Sequence, residues 1–122
     1  LYVGRHSGED STPRPAGSLH YIVIESGAGQ IDGRPYRAAL GTDSIRGMHN
    51  NPPFGYPLAG LIAPSTAIVS QTGMDGNNGG WAVVYSNAGL TASQLQLAID
   101  EDWYLDSERS HVTEQVNYLV FE

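Results

Sequence analysis

Apolar positions along this chain fall in short bursts separated by Gly, Asn, Asp and Pro, a spacing that predicts strands. The pattern is clearest in residues 93–100 (SQLQLAID). Leu95, Leu97 and Ile99 share one face there, while Gln94 and Gln96 take the other, as in a half-solvated antiparallel strand. A helix at 92–96 is the alternative, and the alternation through Ile99 favours the strand. Residues 66–72 (TAIVSQT), 81–86 (WAVVYS) and 112–121 (VTEQVNYLVF) also have strand composition. They are joined by 73–80 (GMDGNNGG), 87–92 and 101–110.

The first half reads less evenly. Residues 1–17 predict an edge strand and then a polar loop containing Pro13 and Pro15. Residues 19–25 (LHYIVIE) form a strong predicted strand between Gly17 and a turn at 26–29, and the nearly continuous apolar run suggests burial on both faces. Residues 34–40 predict a weaker strand beginning at Pro35, and 44–48 a short one. Residues 49–64 (HNNPPFGYPLAGLIAP) hold four prolines, which exclude a helix. This stretch predicts a long ordered loop that packs Phe54, Tyr56 and Leu58 onto the end of the barrel or sandwich, and loops of that length tend to be functional. The expected fold is all-β: one antiparallel β-sandwich of about seven short strands over residues 1–122. Residues 1–18 are either an N-terminal edge strand or an exchanged arm.

Composition narrows the partners. Apolar residues at 40% against 16% charged support one modest core in 122 residues. There is no cysteine, which removes disulfides, thiolate metal sites and cysteine nucleophiles together. All six basic residues are Arg, and the formal net charge is −7. That charge argues against nucleic acid and anionic membranes as partners and leaves neutral glycans, proteins and cations. No apolar run approaches the ~18 residues of a membrane span. The start at Leu1 without Met leads us to expect a mature or excised piece of an extracellular or cell-surface protein.

One internal echo stands out. Residues 19–25 (LHYIVIE) and 116–122 (VNYLVFE) both read apolar-x-Tyr-apolar-Val-apolar-Glu, each downstream of an Arg/His pair at different spacing. Two strands in similar buried positions would explain it. So would a chain that carries the closing strand of a preceding repeat as well as its own.

The stretch from Glu101 to Glu122 carries a pattern of its own: Trp103, Tyr104, Leu105 and Asp106, then His111, Glu114, Val116 and Tyr118, then an apolar run ending in Glu122. It resembles the closing segment of H-type-lectin-like β-sandwich modules found in large secreted bacterial proteins, and the likeness covers about residues 64–122. The resemblance implies an antiparallel sandwich that associates as trimers or sits in arrays, and glycan binding as in the true lectins. None of the lectins' sugar-contacting residues is carried over.

Taken as a straight strand, His111 and Glu114 are three apart and point to opposite faces, so they do not share a metal. Glu114, Val116 and Tyr118 would share a face with Val112, and an Arg109–Glu114 pair near the rim is the expected clamp on loop 101–110.

Catalytic chemistry finds little support. There is no Gly-x-Ser-x-Gly elbow, and His6, His20, His49 and His111 lack zinc-ligand spacing. Asp100, Asp102 and Asp106 against Asp75 are candidates for a glycosidase pair, but 122 residues leave little room for a core and a cleft. Calcium is the better cation, at one of two places: the loop DGNNGG that begins at Asp75, which offers hard oxygen ligands in a flexible turn, or the acidic cluster of Asp100, Glu101, Asp102, Asp106 and Glu108. The alternative is a solvated acidic loop. For glycan, Trp103, Tyr104, Asn77, Asn78 and Arg109 supply stacking rings with hydrogen-bonding neighbours on loops. Trp81 and Trp103 serve equally as plugs at the sandwich ends.

The sequence thus points to a non-catalytic extracellular lectin-like module that binds glycan or mediates adhesion through its end loops. The alternative is a self-associating structural subunit of an extracellular fibre, adhesin or array. A homo-oligomer is expected in either case.

Overall fold

A computed structural model describes residues 8–122. Its seven strands are β1 (Gly27–Ile31), β2 (Arg34–Ile45), β3 (Phe54–Pro57), β4 (Thr66–Gln71), β5 (Gly80–Val84), β6 (Gln94–Glu101) and β7 (Glu114–Phe121). They form two antiparallel sheets, ordered β1-β2-β7-β4 and β3-β6-β5. The all-β, sandwich-like expectation holds, with seven strands as anticipated.

The core lies between the two central strands. In β6, Leu95, Leu97 and Ile99 are completely buried, as is Ala98, so the strand's second face is covered too. In β7, Val116 and Val120 are completely buried and Tyr118 nearly so. Burying each large aliphatic side chain contributes about 1.5–3 kcal/mol. Tyr56 stacks on Tyr118 with ring centroids 5.8 Å apart. Its hydroxyl donates to the Thr42 carbonyl at 2.7 Å and accepts from the Val116 N–H at 3.2 Å. Gly41 is required beside it, because a Cβ there would fall inside the Tyr56 ring.

Several expectations for the first half are corrected. Residues 26–29 are not a simple turn: Gly27 opens β1, which pairs with β2 through a two-residue turn at Asp32 and Gly33. Both turn residues have positive φ (50° and 73°), the geometry that an Asp-Gly hairpin favours. The separate strands expected at 34–40 and 44–48 are one strand, β2, whose register against β7 shifts between Leu40 and Asp43 and again before Ile45. Such shifts break the alternation that a period-two reading relies on. The proline-rich stretch is not all loop. Its centre is β3, an edge strand beside β6 that follows Pro53 and ends on Pro57, positions at which an edge strand tolerates proline. Tyr56 and Leu58 belong to the main core, beyond a mere end plug.

The largest miss is residues 19–25. Among the described residues this segment pairs with no strand, and Leu19, Tyr21, Ile22 and Val23 are 58%, 67%, 77% and 77% exposed. Strand propensity needs a ladder partner, and none of the described strands supplies one. The edge strand expected at the start of residues 1–17 lies largely outside the described residues. The described part, 8–17, has a turn at Gly8 and Glu9 and no strand.

Strand directions collect three connections at one end of the sandwich. β2, β4 and β6 run toward it and β3, β5 and β7 start from it, so loops 46–53, 72–79 and 102–113 lie side by side.

Candidate functional site

The loop end is built on a buried polar cluster. Glu101 is the last residue of β6, Glu114 the first of β7, and His111 belongs to the loop between them. All three are buried, at 4%, 0% and 5% exposure. His111 faces Glu101 Oε1 with Nδ1 and Glu114 Oε1 with Nε2, the second contact at 2.9 Å. A buried carboxylate needs such partners, since desolvation alone strongly disfavours its charge. Burial pushes the Glu101 carboxyl above its ordinary value, and the hydrogen bond with His111 opposes that rise.

This geometry corrects the strand-based reading of the pair. β7 starts at Glu114, so His111 and Val112 precede the strand and alternation does not govern them. His111 therefore turns inward onto Glu114, while Val112 is 49% exposed rather than on the buried face. The expected Arg109–Glu114 clamp is also wrong. Arg109 pairs with Asp100, its Nε donating to Oδ1 at 2.6 Å and its Nη2 reaching the same oxygen. Arg109 lies outside the buried shell, where Asp100 is the carboxylate within reach.

The neighbouring loops close over the cluster through backbone donors. The N–H groups of Asp75 and Gly76 donate to Glu114 Oε1 at 2.9 and 3.1 Å. Gly76 packs on the imidazole so tightly that a Cβ would lie 2.6 Å from His111 Cε1. From the other side, Asn50 Oδ1 accepts from the Gly47 and His111 N–H groups, both at 2.9 Å. His49 pairs with Arg109 twice, donating from its N–H to the Arg109 carbonyl and accepting the Arg109 N–H on Nδ1, each at 3.2 Å. Residues preceding the sandwich reach the same end: Glu9 N–H donates to Asp102 Oδ2 at 3.0 Å, and Leu105 N–H donates to Glu9 Oε2 at 2.9 Å.

Above this base, Trp103, Tyr104 and Leu105 are 65%, 63% and 71% exposed. The Arg109 guanidinium carbon lies 5.4 Å from the Trp103 ring centroid, a cation–π contact. Trp103 is thus not an end plug. Asn77 and Asn78 are exposed on loop 72–79 at this same end. Trp81 lies in β5 at 45% exposure, so it plugs no end of the sandwich.

The residues considered for calcium are not gathered. Asp100 holds Arg109, Asp102 accepts from Glu9 and Tyr104, Asp106 accepts from Glu108, and Asp75 is exposed, with its backbone on Glu114. Among the described residues, no group of three or more His, Cys, Asp or Glu is disposed to hold a metal ion. Glu101, His111 and Glu114 are close, but the two ring nitrogens point to different carboxylates, not to a shared point.

Sequence reasoning missed His49 and Asn50 as members of the site, and it placed Glu101 in an acidic cation cluster where the structure sets it against His111. The signal was present in His111-x-x-Glu114, had the strand been started at the glutamate. No protein-family model, curated protein or solved structure matches this chain.

Proposed function

We propose that this domain is a non-catalytic, lectin-like recognition module of an extracellular or cell-surface protein, binding neutral glycan at its three-loop end. The observation that carries the reading is Trp103, 65% exposed on a loop braced from below, with Arg109 at its ring and Asp100 fixing Arg109. A pyranose stacks its CH face on an indole, and adjacent guanidinium, carboxylate and amide groups bond its hydroxyls. Tyr104, Asn77 and Asn78 would extend that surface. Calcium is not needed for this mode.

A glycan array probed with the purified chain tests the proposal. Trp103→Ala should abolish binding while leaving the melting temperature within about 2 °C, since exposed substitutions rarely exceed ~0.5 kcal/mol. An array without signal, or a variant that binds like the wild type, rejects it.

A second reading, self-association into a fibre or array, is favoured by one observation: the exposed apolar residues Leu19, Tyr21, Ile22 and Val23. Negative-stain images showing only single particles would remove it.

A further inference from the structure

We propose that residues 19–25 are a β7-type closing strand, shaped to lie between the β2 and β4 equivalents of another sandwich of this same architecture. The inference is independent of glycan binding and of self-association: an intact copy of this chain fills its own β2–β4 slot with β7, so the partner is a sandwich of this architecture that lacks its closing strand.

The position-by-position match with β7 supports it. Aligning Tyr21 with Tyr118 places Leu19 on Val116, Ile22 on Leu119, Val23 on Val120, Ile24 on Phe121 and Glu25 on Glu122. In β7 the residues at the first four of these positions are buried: Val116 0%, Tyr118 7%, Leu119 9% and Val120 0%. Their counterparts in 19–25 are more than half exposed, at 58%, 67%, 77% and 77%. The polar position also agrees, because His20 falls on Asn117, and both are exposed. The segment therefore carries the burial code of a strand covered on both faces while lying uncovered.

The same structure says where such a strand does not go. The slot between β2 and β4 in this sandwich is filled by β7, paired with β2 from Tyr36↔Phe121 to Ile45↔Glu114 and with β4 from Thr66↔Phe121 to Gln71↔Val116. The vacant slot must belong to another sandwich.

Chain geometry then fixes how the two bodies join. Only Ser26 separates Glu25 from β1, which opens at Gly27. A strand seated in a partner would thus run almost directly into the first hairpin of this sandwich, giving an end-to-end pair with a very short hinge.

The match stops at the polar cluster: the positions of His111 and Glu114 are taken by Arg14 and Gly17. The segment supplies the apolar part of the strand and not the buried acid, so it would compete poorly for the slot of its own sandwich. This is why a strand so like β7 does not displace it.

A fusion tests the assignment while keeping the chain whole. Residues 27–113, which lack β7, are placed ahead of the complete 1–122 chain, so that 19–25 can close the added unit. The expected result is a protease-resistant added unit with its own set of dispersed amide resonances, and loss of both in the Leu19→Ser, Tyr21→Ser, Val23→Ser version. An added unit that stays protease-sensitive, or one equally resistant with the three serines, overturns the proposal. Sedimentation of the unfused chain reads self-association separately: a monomer there with a closed fusion removes the fibre reading and leaves this one standing.

Discussion

Replacing His111 by Leu should be among the most damaging single changes at the loop end, and the structure sets its size. Leu keeps roughly the volume of the imidazole, so the change reads polar loss rather than a cavity. It removes both contacts that join the side chains of Glu101 and Glu114, which are 2% and 0% exposed. At pH 7, keeping one ordinary carboxyl protonated in a buried site costs about 3.5 kcal/mol, at 1.36 kcal/mol per pH unit. Glu114 retains the N–H donors of Asp75 and Gly76, so its share is smaller, while Glu101 loses the bond that opposed its desolvation. The total is about 3–5 kcal/mol, in the range found when one partner of a buried pair is removed. Against a typical domain stability of 5–15 kcal/mol, the melting temperature should fall by roughly 10–20 °C.

Urea unfolding at pH 7 and at pH 4.5 separates this cause from general damage. Near pH 4.5 the unfolded chain also takes up carboxyl protons, so holding them in the fold is nearly free and the deficit should shrink to about 1–2 kcal/mol. A deficit under about 1 kcal/mol at pH 7, or one of equal size at both pH values, would refute the reasoning.

Glu101→Gln removes a carboxyl that burial holds above its ordinary value among His111, Glu108 and Glu9. The folded form keeps that proton longer, so its contribution is full below about pH 4.5 and fades as pH rises through the folded value; the variant's urea midpoint should therefore decline less with rising pH than the wild type's. Gly76→Ala sets a Cβ 2.6 Å from His111 Cε1 and should destabilise by about 1–3 kcal/mol in thermal melts, whereas the same change at Gly17, where nothing lies within 4 Å, should be neutral. Asp100→Asn releases Arg109 and, the pair being partly exposed, should lower stability by only about 1 kcal/mol while weakening any glycan binding that Trp103 supports.

The second half of the fold was legible because its strands obey simple alternation and sit between Gly-rich turns. Leu95, Leu97 and Ile99 announced the inner face of β6, and all three are fully buried. The first half was obscured by three physical effects. Glycines in β1 disguised a strand as a turn, register shifts in β2 split one strand into two, and residues 19–25 had the composition of a core strand without a partner among the described strands. At the site, Trp103, Tyr104 and Arg109 could be picked from the sequence because loop aromatics beside charge stand out. Asn50 and His49 could not, and Glu101 was read only as one of a run of acids. Their roles depend on contacts between loops that are distant in sequence, such as Asn50 with His111 over 61 residues.

The buried cluster and the exposed rings are two halves of one arrangement. A ligand surface made of loops loses affinity if the loops must be ordered on binding, since each immobilised side chain or segment subtracts from the interaction. Here the three loops are already tied to one another: 72–79 by two N–H donors to Glu114, 46–53 through Asn50 and His49, and 102–113 through His111 itself. An apolar plug under the loops would bury comparable surface but give no direction to the backbone above it. A carboxylate with two amide donors and an imidazole does, because its hydrogen bonds are directional and expensive to leave unmade in a dry site. The sequence spends a buried His and two buried Glu where Leu would suffice for packing, and the consequence is a single orientation for the loop that presents Trp103.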